Sequence, residues 1–108
     1  MPIDYHNLLE TILDRSATAA LGHASDLKTY IAARAKLIAE SVILIERDRL
    51  NGDISEDDAR FAYEQIKKSE KSALLALQAT RQAAAQDAIN AALNVAATVL
   101  GKAIGIAL

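Results

Sequence analysis

The chain contains no cysteine or tryptophan, and it has only one proline and four glycines in 108 residues. Without cysteine, a disulfide framework, thiolate catalysis and Cys-ligated zinc are excluded. The formal net charge is −2, so no sustained basic field is available for nucleic acid, and we expect no nucleic-acid partner. The first residues lack the positive charge and long apolar run of a secretory signal, and we therefore expect a cytoplasmic protein.

The residues that are abundant favour helix. Alanine occurs 23 times, apolar residues make up 52% of the chain, and the one proline stands at position 2, where it interrupts nothing. Alanine, leucine, glutamate, glutamine, lysine and arginine are the strongest helix formers. The sequence therefore predicts an all-α protein in which residues 1–108 form a single helical domain.

The clearest break in the helical pattern lies near the middle of the chain. Asn51 and Gly52 tolerate the left-handed conformation that ends a helix, and Ser55 can accept a hydrogen bond from the first turn of the next. We predict a first arm over residues 4–50, a turn over 51–54 and a second arm over 55–104. A weaker signal at Gly22 predicts a kink or break that divides the first arm into residues 4–21 and 26–50.

Two arms of nearly equal length predict an elongated antiparallel αα-hairpin, with residue i opposite about residue 105 minus i. No glycine or proline occurs between Glu56 and Gly101, which permits one helix of about 45 residues and roughly 70 Å in the second arm. Two helices alone bury one stripe each and leave Leu37 and Leu44 exposed. We therefore expect the hairpin to assemble into a helical bundle or a larger oligomer.

The Ala-rich part, residues 72–108, is the most distinctive segment because it holds only three of the 26 charged residues. Small side chains recur there every four residues, which lets helix backbones approach closely. We call Ala84, Ala88, Ala92 and Ala96 the alanine row. The residues that we predict to mediate self-association are Ala84, Ala88, Ala92, Ala96, Ala97, Gly101, Asn90 and Asn94. Burial within the hairpin and contact with a membrane are the competing interpretations of the same segment.

The sequence contains only weak matches to motifs that bind metal ions or catalyse reactions. Asp53 to Glu64 resembles a calcium loop, but Asp58 stands where the sharp turn needs glycine. The histidines, His6 and His23, do not have the spacing of metal ligands, and no nucleophile-elbow pattern occurs. We predict no enzyme activity, catalytic residue, metal or cofactor.

The function that these patterns favour is that of a structural or interaction protein that self-associates through its Ala-rich C-terminal helix. A helical hetero-partner is a further interpretation. The alternative function is a small membrane-active protein, pore- or holin-like, that uses the same C-terminal segment and associates with membranes.

Overall fold

A computed structural model describes residues 2–108 as a bundle of four helices. Helix α1 spans Tyr5–Ala19, α2 spans Lys28–Leu50, α3 spans Glu56–Leu74 and α4 spans Ala79–Ile104, and a short 3₁₀ turn at Leu21–His23 follows α1. The all-α class is confirmed, as are the break near Gly22 and the turn after Leu50. In the first break, however, Leu21 rather than Gly22 takes the left-handed conformation, with φ at 54°.

The turn between α2 and α3 follows the local chemistry that the sequence predicts. Gly52 has φ at +78°, a conformation that is accessible to glycine without strain. The Ser55 hydroxyl accepts from the backbone N–H of Asp58 at 3.1 Å, while the Asp58 carboxylate accepts from the backbone N–H of Ser55 at 3.1 Å. This reciprocal capping box satisfies two amides at the start of α3.

The second arm is two helices rather than one continuous helix. The chain breaks at residues 75–78 although they include no glycine or proline, and α4 folds back along α3. Nearby residues satisfy backbone groups at this break. The backbone N–H of Leu77 donates to the carbonyl of Leu74 at 3.1 Å, and the Gln82 side chain donates to the Leu77 carbonyl at 3.0 Å. The molecule therefore measures 43 × 24 × 19 Å, much shorter than a two-helix hairpin.

Sequence neighbours in the bundle run antiparallel, because each pair is joined by a short connection. Helices α2 and α4 consequently run parallel, and each of them packs against all three other helices. These two central helices bury small side chains, including Ala35 and Ala39 on α2 and Ala88 and Ala92 on α4. Small residues at helix contacts permit close interaxial distances, so the alanines place α2 and α4 at the centre of the bundle.

Candidate interaction surfaces

The structure places the predicted self-association residues in three different environments. Ala88, Ala92 and Ala96 are at most 1% exposed, so contacts within one chain already cover them. Burial within the chain, the competing interpretation of this segment, describes these three residues, and a helix of a second copy reaches them only if the bundle opens. Ala84, Ala97 and Gly101 are half-buried, whereas Asn90 and Asn94 are exposed.

Gly101 has a role within its own chain. Gly105 ends α4 in the left-handed conformation, and the backbone N–H of Ile106 donates to the Gly101 carbonyl at 3.1 Å. A Cβ atom added at Gly101 would lie 2.7 Å from the carbonyl oxygen of Ile106. The absence of a side chain therefore allows the last residues to cross the end of α4 and bury Ile106.

Asn94 borders an open cleft of about 450 Å³ between α1 and α4. Its floor is apolar, and Arg15 is the charged residue that lines it. The hydroxyls of Thr11 and Thr18 donate to the carbonyls of Asn7 and Asp14 four residues earlier, which leaves them no proton to offer a ligand. This groove therefore presents no nucleophile and base held in hydrogen-bond contact.

Among residues 2–108, no three His, Asp or Glu side chains come close enough together to share a metal ion. None of the helices in that range combines the length and the hydrophobicity that crossing a bilayer requires.

Large exposed apolar side chains lie on the adjacent helices α2 and α3. We define the α2–α3 face as Leu37 and Leu44 on α2, Phe61 on α3, and the groove of about 270 Å³ between these helices. Leu37 is 46% exposed, Leu44 is 48% exposed and Phe61 is 65% exposed. Single exposed apolar residues are ordinary, but large ones on adjacent helices are typical of an interaction surface.

A partly buried ion pair that lines this groove holds α2 and α3 in register. The Nε atom of Arg34 donates to Oε1 of Glu70 at 2.8 Å, and the second guanidinium nitrogen bonds the other carboxylate oxygen. The Glu70 side chain is only 3% exposed. The hydrogen bond to Glu70 raises the pKa of Arg34, so this group stays charged. The contact between Arg34 and Glu70 agrees within one residue with the predicted hairpin register, in which residue i lies opposite about residue 105 minus i.

This ion pair also changes the interpretation of the neighbouring lysines. In the sequence, Glu64 and Glu70 are interleaved with Lys67, Lys68 and Lys71, a spacing that by itself predicts ion pairs along one face of the helix. The structure instead directs Glu70 into the bundle toward Arg34, while Glu64 pairs with Lys67 at 2.7 Å. Lys68 is exposed on the same helix. The positive charge of α3 is therefore less compensated than the sequence indicates.

On the opposite side of α3, a hydrogen bond of Tyr63 connects this helix to α4. The Tyr63 hydroxyl donates to the backbone carbonyl of Leu93 at 2.6 Å. Burial, with a smaller contribution from the charge of Glu64, raises the pKa of Tyr63 to about 12. Since α3 is held by Arg34 on one side and by Leu93 on the other, the α2–α3 face is a preformed surface.

Charge is distributed unevenly along the bundle. The pairing of Arg34 with Glu70 divides α2 and α3 into a basic half, residues 28–38 and 65–74, and an acidic half, residues 39–50 and 56–64. The basic half holds six Lys and Arg against one Glu, whereas the acidic half holds seven Asp and Glu against three Arg. The small net charge of −2 thus conceals two regions of opposite sign.

Comparisons of this chain with protein families, with curated proteins and with solved structures find no match.

Proposed function

We propose that this protein is a structural or interaction protein, not an enzyme, that self-associates through the α2–α3 face. The observation that carries the proposal is the exposure of Leu37, Leu44 and Phe61 on two adjacent helices whose register is held by Arg34 and Glu70. Burial of apolar area drives most protein association, and these side chains offer that area on a preformed surface.

The proposal keeps the predicted self-association but changes the surface that mediates it. Contacts across the alanine row would require the bundle to open, because Ala88, Ala92 and Ala96 are covered by their own chain. The α2–α3 face requires no rearrangement. Leu21 and Leu75 are more exposed, at 78% each, but they lie in separate connections between helices and not on a helix pair.

The direct test is the mass of the purified protein, measured by light scattering coupled to size-exclusion chromatography. We expect the wild type to form a discrete oligomer. The Leu44→Ser/Phe61→Ser variant should become monomeric while its helicity by circular dichroism stays unchanged, since both side chains are exposed. Leu75→Ser is the matched control, because it removes an equally large exposed side chain away from the face, and it should keep the wild-type mass.

Two outcomes would contradict the proposal. A wild-type chain that stays monomeric at high concentration would exclude self-association. Recovery of the chain only in detergent would instead favour the membrane-active alternative. The position of the apolar residues of α4 inside the bundle gives that alternative no structural support.

A further inference from the structure

We infer that two copies of this chain pair across their α2–α3 faces in an antiparallel orientation, so that the basic half of each copy lies against the acidic half of the other. This inference rests on the proposed function and specifies its geometry. The second copy is the partner whose charge pattern matches the face, because the chain itself carries both signs at opposite ends of one surface.

The sign of charge changes at the same level on both helices of the face. On α2, Lys36 precedes Glu40 by one turn, and on α3, Glu64 precedes Lys68 by one turn. The Arg34–Glu70 pair aligns the two helices so that both changes flank the groove lined by Leu37, Ser41, Gln65 and Ile66. The groove therefore marks the centre of a surface that is basic on one side and acidic on the other.

Two directions of a two-fold axis through this centre lay the helices of one copy along the helices of the other. If it runs across the helices, α2 lies antiparallel to α2 of the second copy, and Lys36 of each copy comes near Glu40 of the other. If it runs along the helices, α2 lies on α3 of the second copy, and like-charged halves meet. Like charges across an interface are repulsive, so the first arrangement is favoured. This arrangement also forms a closed dimer, because each copy uses the same surface and neither α2–α3 face remains free.

The natural absence of cysteine makes orientation measurable with single-cysteine variants and a short bismaleimide cross-linker. Ala33 and Leu44 lie on one stripe of α2, on opposite sides of the centre, and both are exposed. In the antiparallel pair they approach each other, so a mixture of Ala33→Cys and Leu44→Cys chains should form cross-linked dimers. Each variant alone should form few. A mixture of Leu44→Cys and Phe61→Cys is the control, because those positions approach each other only in the other orientation.

The result that would overturn the inference is efficient cross-linking of Leu44→Cys with Phe61→Cys, but not with Ala33→Cys, in a protein that light scattering shows to be dimeric. The proposed function would survive that result. A monomeric wild type would overturn both, and a dimer in which neither mixture cross-links would mean that another surface mediates association.

Charge reversal provides a second, independent measurement. Lys36→Glu and Glu40→Lys should each weaken dimerisation by about three- to tenfold, the range for two symmetry-related exposed ion pairs. The double variant Lys36→Glu/Glu40→Lys should restore wild-type affinity, since it exchanges the two signs. Added salt should weaken the wild-type dimer. Failure of the double variant to recover would contradict the antiparallel pairing, because in that pairing residue 36 of each copy lies near residue 40 of the other.

Discussion

The alanine row of α4 and the α2–α3 face are both regular apolar surfaces, but only one of them is available to another molecule. The row consists of small side chains, and its central members are buried within the chain, whereas the face presents Leu37, Leu44 and Phe61 to solvent. Small residues are favourable where helix backbones must come close, which is the demand at the centre of a bundle. Small size therefore indicates an internal contact here, and large apolar residues outside the buried stripe indicate the external surface.

The largest effect that we expect concerns the ion pair that lines the groove of the face. Arg34→Met should destabilise the protein by on the order of 3 kcal/mol, because it leaves the buried Glu70 carboxylate without its partner. Chemical denaturation measures this loss. Arg47→Met is the control: Arg47 pairs with Asp48 at 3.3 Å on the surface, and its loss should cost less than about 1 kcal/mol. Equal effects of the two substitutions would mean that the buried pair does not hold the face.

The next prediction tests the buried status of the alanine row. Ala92→Leu should lower stability by about 1 to 3 kcal/mol, because the core has no volume for the longer side chain. It should lower the melting temperature and leave the oligomeric mass unchanged. Ala83→Leu, on the exposed side of the same helix, should do neither. A change in mass with Ala92→Leu but unaltered melting would restore the row as the surface between subunits.

The next prediction concerns the close packing of the backbone around Gly101, at the end of α4. Gly101→Ala should cost roughly 1 to 2 kcal/mol, since the added Cβ would lie 2.7 Å from the Ile106 carbonyl oxygen and something must shift. Gly22→Ala has no atom within 4 Å of the added Cβ and should be neutral or slightly stabilising. Thermal unfolding of the two variants decides the comparison. A stabilised Gly101→Ala protein would show that the close approach does not constrain this position.

The smallest effect concerns the turn that brings α2 and α3 together. Ser55→Ala should cost about 1 kcal/mol by removing the acceptor for the Asp58 amide. Ser69→Ala, an exposed position within the same helix, should change the free energy of unfolding little, since alanine is the better helix former. A neutral Ser55→Ala substitution would mean that packing alone positions α3.

Local chemistry explains which breaks were predictable. The turn at residues 51–54 combines a residue that tolerates left-handed backbone with a strong N-cap, and both signals act within a few residues. The break at residues 75–78 has neither signal. It forms because a straight second arm would leave the apolar residues of α4 without cover, whereas folding back buries them against α1, α2 and α3.

The candidate surface was only partly predictable for a related reason. The stripe pattern already indicates that Leu37 and Leu44 fall outside the buried side of the hairpin. It assigns Glu70 to a surface ladder of charges, however, because neighbours on one helix are all that a sequence displays directly. The structure brings Arg34 to Glu70 from another helix, and the two residues are 36 positions apart in the sequence.

The all-helical class, the break near Gly22 and the capped turn before α3 follow from the amino-acid sequence, because they depend on propensities and hydrogen bonds within a few residues. The register of α2 against α3 follows as well, since a short turn leaves little freedom to slide. The packing of the whole chain, in contrast, folds α4 back and buries Ala88, Ala92 and Ala96. It likewise decided that opposite charges collect in two halves, because both outcomes arise from segments that are distant in the chain and share one core.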